Sequence, residues 1–146
     1  FMFSTGTGIA PFASLIRDPD TYEKFEQVIL THTCRDVAEL RYGKELIEQA
    51  KDDPLIGEFT AGRLTLYSTT TREASPRMGR ITTLVENGKL FDDLGIAPLD
   101  PATDRVMICG AMQMLQDVKE MVEKRGFVEG SLSNPATFVV ERAFVG

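Results

Sequence analysis

Residues 1–12, Phe-Met-Phe-Ser-Thr-Gly-Thr-Gly-Ile-Ala-Pro-Phe, pass in one stretch from an apolar run through two glycines into a proline-bearing segment. Phe1–Phe3 reads as a strand and the glycines as a tight turn. Pro11 suits the first turn of a helix, where a missing N–H costs no hydrogen bond. Pro19 ends that helix, because the residue before a proline is pushed out of the helical conformation. Pro11–Asp18 is therefore a short helix, and the stretch reads as a strand, a glycine-rich turn and a helix.

The pattern repeats along the chain. Apolar runs at Val28–Thr31, Leu64–Thr69, Val106–Cys109 and Thr137–Val140 alternate with helix-period stretches at Leu40–Lys51, Arg80–Asn87 and Ala111–Arg125. In the last of these, Leu115, Val118, Met121 and Val122 form one stripe, Lys124 and Arg125 occupy the final turn, and Gly126 stops it. Apart from Leu64–Thr69, the strand runs lack polar–apolar alternation, as expected of strands covered on both sides. The order β-α-β-α-β-α-β-α-β predicts an α/β fold, a five-stranded parallel sheet with helices on both faces. Loops are expected at Asp52–Pro54, Thr70–Gly79 and Leu94–Thr103.

Composition sets outer limits. The 146 residues are 42% hydrophobic and 26% charged, with a net charge of -6. They suit one soluble domain and argue against a general nucleic-acid or anionic-membrane surface. No apolar run approaches the roughly 20 residues of a membrane span, and no signal peptide is visible. Cys34 and Cys109 lack metal-type spacing and read as reduced thiols of a cytoplasmic protein. The first apolar run has three residues, against about five or six in an ordinary strand. The chain reads as starting inside a strand, as a piece of a longer protein.

In a parallel sheet, ligands bind beyond the carboxyl ends of the strands where the strand order reverses. Four constellations lie there. Gly6-Thr7-Gly8-Ile9-Ala10-Pro11 can be a plain strand-to-helix turn or a backbone cradle for an anion. It is not the dinucleotide fingerprint, since Pro11 occupies the third glycine position. Arg72, Arg77 and Arg80 fall close together with Glu73 the one acid among them, and Arg35 follows the second strand. They can balance nearby acids in solvent, or present planar guanidinium groups to a phosphate such as the 2′-phosphate that separates NADP from NAD. Cys109-Gly110-Ala111-Met112 joins a strand to a helix; the thiol and glycine are either a buried small residue and a turn, or the wall of a site for a planar ring. The tail Val140–Gly146 either completes a strand or covers a planar group, and the residues alone favour the strand. His32, the single histidine, has no evident triad partners and reads as structural.

Taken in this order, the four pieces resemble the NADP-binding domain of the ferredoxin–NADP reductase family, the bacterial ferredoxin/flavodoxin reductases in particular, over essentially the whole chain. The resemblance implies a Rossmann-like domain. It implies that Thr5, Gly6, Thr7, Gly8 and Pro11 belong to the nicotinamide and pyrophosphate loop. Arg35, Thr71, Arg72 and Arg80 then hold the 2′-phosphate and adenine, and Cys109, Gly110 and Met112 lie beside the nicotinamide. Cys109 and Glu141 are the catalytic candidates, as positioning residues, with Glu141 also a candidate proton relay. Ala143 and Phe144 contact the flavin, with Ala143 at the place of the stacking aromatic of plant-type members. The cofactors implied are NADP(H) and FAD, the partner ferredoxin or flavodoxin, and the reaction hydride transfer through the flavin. The family's FAD-binding β-barrel has no counterpart here, so residues 1–146 are expected to be the NADP-binding domain alone. Two alternatives stay open: an NADH-dependent reductase component of an oxygenase, against which the arginines argue, and a nucleotide-binding module without redox work.

Overall fold

The structure, a computed structural model, describes residues 1–131 and 133–141. Five strands, β1 Met2–Thr5, β2 Val28–Cys34, β3 Leu64–Thr70, β4 Val106–Cys109 and β5 Phe138–Glu141, form one parallel sheet in the order β3-β2-β1-β4-β5. The five expected strands are thus the five strands of the sheet. β1 and β2 run further toward the site than their apolar runs suggested, because Ser4 pairs with His32 and Thr5 with Thr33 despite their polar side chains, and Cys34 pairs with Thr70 of β3. The buried Ser4 hydroxyl donates to the Thr31 carbonyl at 2.6 Å, which removes the cost of carrying it inside.

Successive residues of a strand point to opposite faces, and the core divides accordingly. On one side Phe3, Tyr67, Ile108 and Phe138 pack against α5 Ile81–Glu86, α6 Lys89–Leu94 and α7 Met112–Lys124. On the other, Met2, Leu30, Leu64 and Cys109 pack against α1 Ala10–Ile16, α2 Pro19–Lys24, α3 Arg41–Asp52 and residues next to the single turn α4 Gly57–Thr60. The uninterrupted apolar runs of the inner strands follow from this double cover. β5 departs from the expectation. It forms an edge of the sheet and only Phe138 of it is buried.

The long helices lie where the hydrophobic period puts them. α7 buries Leu115, Val118, Met121 and Val122. Its end is a Schellman closure, in which Gly126 N–H donates to Glu123 O and Phe127 N–H to Val122 O, with Gly126 at φ 94°. α2, α4 and α6 were not expected. Asp18 caps α2 by accepting from Asp20 N–H at 3.0 Å, and Pro19 opens it. α6 lies between Gly88 and Gly95, both left-handed. Among the described residues no helix is long and apolar enough to cross a membrane.

Candidate functional site

The strand order reverses between β1 and β4, since the chain steps outward from β1 to β2 and β3 on one side and to β4 and β5 on the other. A cleft of about 740 Å³ opens there, within the size range of small-molecule sites.

Its floor is an interlock of two strand ends. A Cβ built on Gly8 would stand 2.6 Å from both the Cys109 carbonyl oxygen and the Gly110 Cα. A Cβ on Gly110 would stand 2.2 Å from Thr5 Oγ1. Gly8 therefore excludes a side chain against backbone atoms, and Gly110 against the Thr5 hydroxyl that holds the start of α7. Thr5 Oγ1 accepts the Ala111 N–H at 3.1 Å, so a hydroxyl from the end of β1 satisfies a free donor at the start of α7. Gly6 is different. It has φ 51° and nothing within 4 Å of a built Cβ, so it faces open space in the left-handed conformation.

His32 supports this loop from beneath. It is 1% exposed, and its Nε2 lies 2.9 Å from the Gly6 carbonyl oxygen. A carbonyl only accepts, so Nε2 carries the proton. Nδ1 has no partner among the described residues, and burial pushes the imidazole pKa below its ordinary value; the ring is neutral. A Cβ on Gly43 would meet Nδ1 at 2.7 Å, so α3 can approach only with glycine there. Cys34 Sγ lies 3.3 Å from His32 Nε2, and burial pushes its thiol up to about 11.

The second wall comes from the ends of β2 and β3, joined inside by Thr33 Oγ1 and Thr69 Oγ1 at 2.8 Å. Beyond the strands the two segments stay paired. Thr71 N–H donates to Cys34 O, and Arg72 and Glu73 N–H both donate to Arg35 O, each at 3.0 Å. Thr70 Oγ1 donates to Glu73 O at 2.6 Å, and Gly79 N–H returns to Thr70 O at 2.9 Å, closing the loop between them. Arg35, Arg72 and Arg80 line the cleft and are solvent-exposed. None of them is in an ion pair among the described residues. Arg77, read as one of the basic cluster, instead lies 4.5 Å over the Tyr67 ring, whose hydroxyl donates to Asp93 Oδ2 at 2.5 Å. That hydrogen bond holds the Asp93 carboxyl below its ordinary pKa, and burial raises that of Tyr67.

The third wall is the start of α7, with Met112, 64% exposed, and Gln113, whose Nε2 donates to Asp117 Oδ1 at 2.9 Å. Thr5, Gly6, Thr7, Gly8, Arg35, Thr71, Arg72, Arg80, Gly110 and Met112 are thus brought to one cleft. Pro11 sits in the first turn of α1, behind the loop. Cys109 is fully buried in the apolar layer on the α1 side and reaches the site through its carbonyl oxygen, against Gly8. Glu141 ends β5 and pairs in register with Cys109. Ala143 and Phe144 lie outside the described residues. Sequence reasoning did not single out Glu39 or Asp117 on the cleft wall. Asp117 shares the polar side of α7 with Gln113, four residues earlier, and that spacing was its available signal.

The chain matches the oxidoreductase NAD-binding domain family over residues 2–120. It is 56% identical over 146 residues to the flavodoxin/ferredoxin–NADP reductase of Rhodobacter capsulatus, covering 100% of this chain and 54% of that protein. It is 47% identical to ferredoxin–NADP reductase A of Sorangium cellulosum, covering 100% of this chain and 52% of that one. Among solved structures, a ferredoxin NADP+ reductase from Neisseria gonorrhoeae with bound FAD and NADP superposes with a TM-score of 0.81 at 27% identity, over 98% of this chain and 55% of that chain. The chain spans about half the length of the curated relatives it matches.

Proposed function

The chain belongs to the oxidoreductase NAD-binding domain family, and from that premise we propose that it is the NADP(H)-binding half of a ferredoxin/flavodoxin–NADP reductase. The observation that carries this reading is the set of three exposed arginines, Arg35, Arg72 and Arg80, free of ion pairs among the described residues, on one wall of the cleft at the reversal point. Three such groups on a chain of net charge -6 fit a ligand with a compact dianion, which NADP has and NAD lacks. Gly6 facing open space and the Gly8–Gly110 contact leave room for a backbone-bound pyrophosphate at the other end. The full identity-bearing match to reductases supports the same assignment.

In this reading Arg35, Arg72 and Arg80 hold the 2′-phosphate, with Thr71 beside the adenine. Thr5, Gly6, Thr7 and Gly8 hold the pyrophosphate and nicotinamide end, and Pro11 starts the helix behind them. Gly110 and Met112 line the nicotinamide side, where Cys109 and Glu141 act as positioning residues. Ala143 and Phe144 are assigned to the flavin, which the half of the protein outside this chain holds. When bound, NADPH would supply a hydride and the flavin would supply the chemistry that passes its two electrons singly to ferredoxin or flavodoxin, the proton being released. The residues here need only align and screen the ligand, since hydride transfer depends chiefly on alignment. The buried thiols of Cys34 and Cys109 fit a reducing, cytoplasmic setting.

Calorimetry on the whole protein tests the assignment. NADP is expected to bind at least about a hundredfold more tightly than NAD, the scale of two or more charge-assisted contacts. Arg72→Ala is expected to remove about tenfold from NADP affinity and leave NAD unchanged. Equal affinity for the two would point to the NADH-dependent relatives. A flavin-free protein that reduces no acceptor dye with NADPH would point to a module without redox work.

A further inference from the structure

Arg35 and Arg72 stand on different loops, and an anion shared between them needs those loops at a fixed separation. Backbone bonds pair them directly, Thr71 N–H to Cys34 O and Arg72 N–H to Arg35 O, and one side chain adds a tie beyond Arg35. The Glu73 N–H donates to the Arg35 carbonyl at 3.0 Å, and the Glu73 carboxylate accepts the Val37 N–H at 2.8 Å. The segment Arg35-Asp36-Val37 is therefore held at both ends by one residue of the neighbouring loop. Val37 opens a 3-10 turn, Val37–Leu40, whose own N-cap residue Asp36 makes no side-chain cap bond. Glu73 supplies that cap from 36 positions further along the chain. The same contact commits the acid nearest the arginines in sequence. Glu73 forms no ion pair with Arg35, Arg72, Arg77 or Arg80; its carboxylate contacts a backbone donor.

We propose that Glu73 is a positioning residue for 2′-phosphate recognition, acting through its carboxylate bond to Val37 N–H to hold the segment after Arg35 against the Arg72 loop, beyond the reach of the backbone bonds that pair the two loops. The inference rests on the reading of the cleft as an NADP site and adds to it a specificity determinant that does not touch the ligand. It distinguishes a hydrogen-bond role from a charge role. A glutamine keeps an oxygen acceptor for Val37 N–H without the charge. An aspartate keeps the charge and is one methylene too short to span the same gap.

The experiment measures binding of 2′,5′-ADP and of 5′-AMP by calorimetry to the flavin-loaded full-length protein and its Glu73→Ala, Glu73→Asp and Glu73→Gln variants. Alanine and aspartate are expected to weaken 2′,5′-ADP about tenfold, the size of one lost charge-assisted bond, and to leave 5′-AMP within about twofold. Glutamine is expected to retain 2′,5′-ADP affinity within about threefold. Hydrogen exchange at the Val37 amide should quicken with alanine and aspartate and stay slow with glutamine. If alanine leaves 2′,5′-ADP affinity unchanged or tightens it, or if glutamine fails as badly as alanine, the proposal is overturned. Equal losses for both nucleotides also overturn it, since they mark a general collapse of the wall. Should the alanine variant not fold, the aspartate–glutamine pair decides alone. A wild-type protein that binds the two probes equally would instead overturn the NADP reading itself.

Discussion

Gly6 and Gly8 sit two residues apart in one loop and are needed for different reasons. Gly6 needs its left-handed backbone, while Gly8 needs the absence of a Cβ against backbone atoms that cannot yield. Gly8→Ala is therefore expected to cost about 2 kcal/mol or more, and Gly6→Ala about 1 kcal/mol, in urea unfolding of the same protein. The reverse order would contradict the packing described. His32 supplies a second test at this scale. Unfolded, it takes a proton at its ordinary value of 6.5; folded, burial first of all lowers that value. The unfolded chain thus holds more protons in the interval between the two values, and the two states hold equal numbers below it. The stability tied to the neutral ring is full above about pH 7 and falls as pH drops through the ordinary value toward the folded one. Urea midpoints at about pH 7.5 and pH 5.5 should differ in that sense, and a His32→Gln variant should show a smaller difference. Neither contact could be read in advance. Gly8 meets a carbonyl 101 positions away and His32 one 26 positions away, and only the folded register joins them.

At the scale of elements, what was legible followed the strength of the periodic signal. α7 was readable because four buried apolar residues recur on one face and a glycine ends it. α2 and α6 have six residues each and bury only Thr21 and Tyr22, and Leu90 and Phe91, too few to show a period. Their boundaries were nevertheless written in the chain, as Asp18-Pro19 before one and Gly88 and Gly95 around the other. The start of α7 carries a prediction of its own. Its N-cap residue Ala111 has no side chain to cap with, and the Thr5 hydroxyl from β1 accepts Ala111's own N–H instead. Thr5→Val keeps the shape and removes the acceptor. It should cost about 1 kcal/mol in urea unfolding and weaken NADP binding, because β1 and α7 then part at the floor of the cleft. Thr5→Ser keeps the oxygen and should restore both. Loss with serine equal to that with valine would assign the effect to packing.

The whole molecule explains why the sheet was the easiest feature to read and the cleft only half readable. Double cover writes apolar runs into the strands, whereas the cleft is assembled from loops whose residues share no period. It also sets the electrostatics. The chain carries -6 overall, yet the arginines of the cleft are left out of the four ion pairs among the described residues, which use Arg41, Lys89, Lys119 and Lys124. A dianion therefore meets an acidic body and a locally cationic wall, and the balance depends on screening. At about 0.1 M salt, charges more than about 10 Å apart are largely hidden, so the distant acids weigh little and the near arginines dominate. Further salt can then only weaken the attraction. Raising NaCl from about 0.05 to 0.5 M is expected to reduce 2′,5′-ADP affinity about tenfold. In Arg72→Ala the dependence should be shallower, because one of the screened contacts is already gone. 5′-AMP, with one phosphate fewer, should show the shallower slope even in the unaltered protein. Parallel slopes for both ligands and both proteins would mean that the 2′-phosphate is not held by these charges, and the assignment of Arg72 would fall with them.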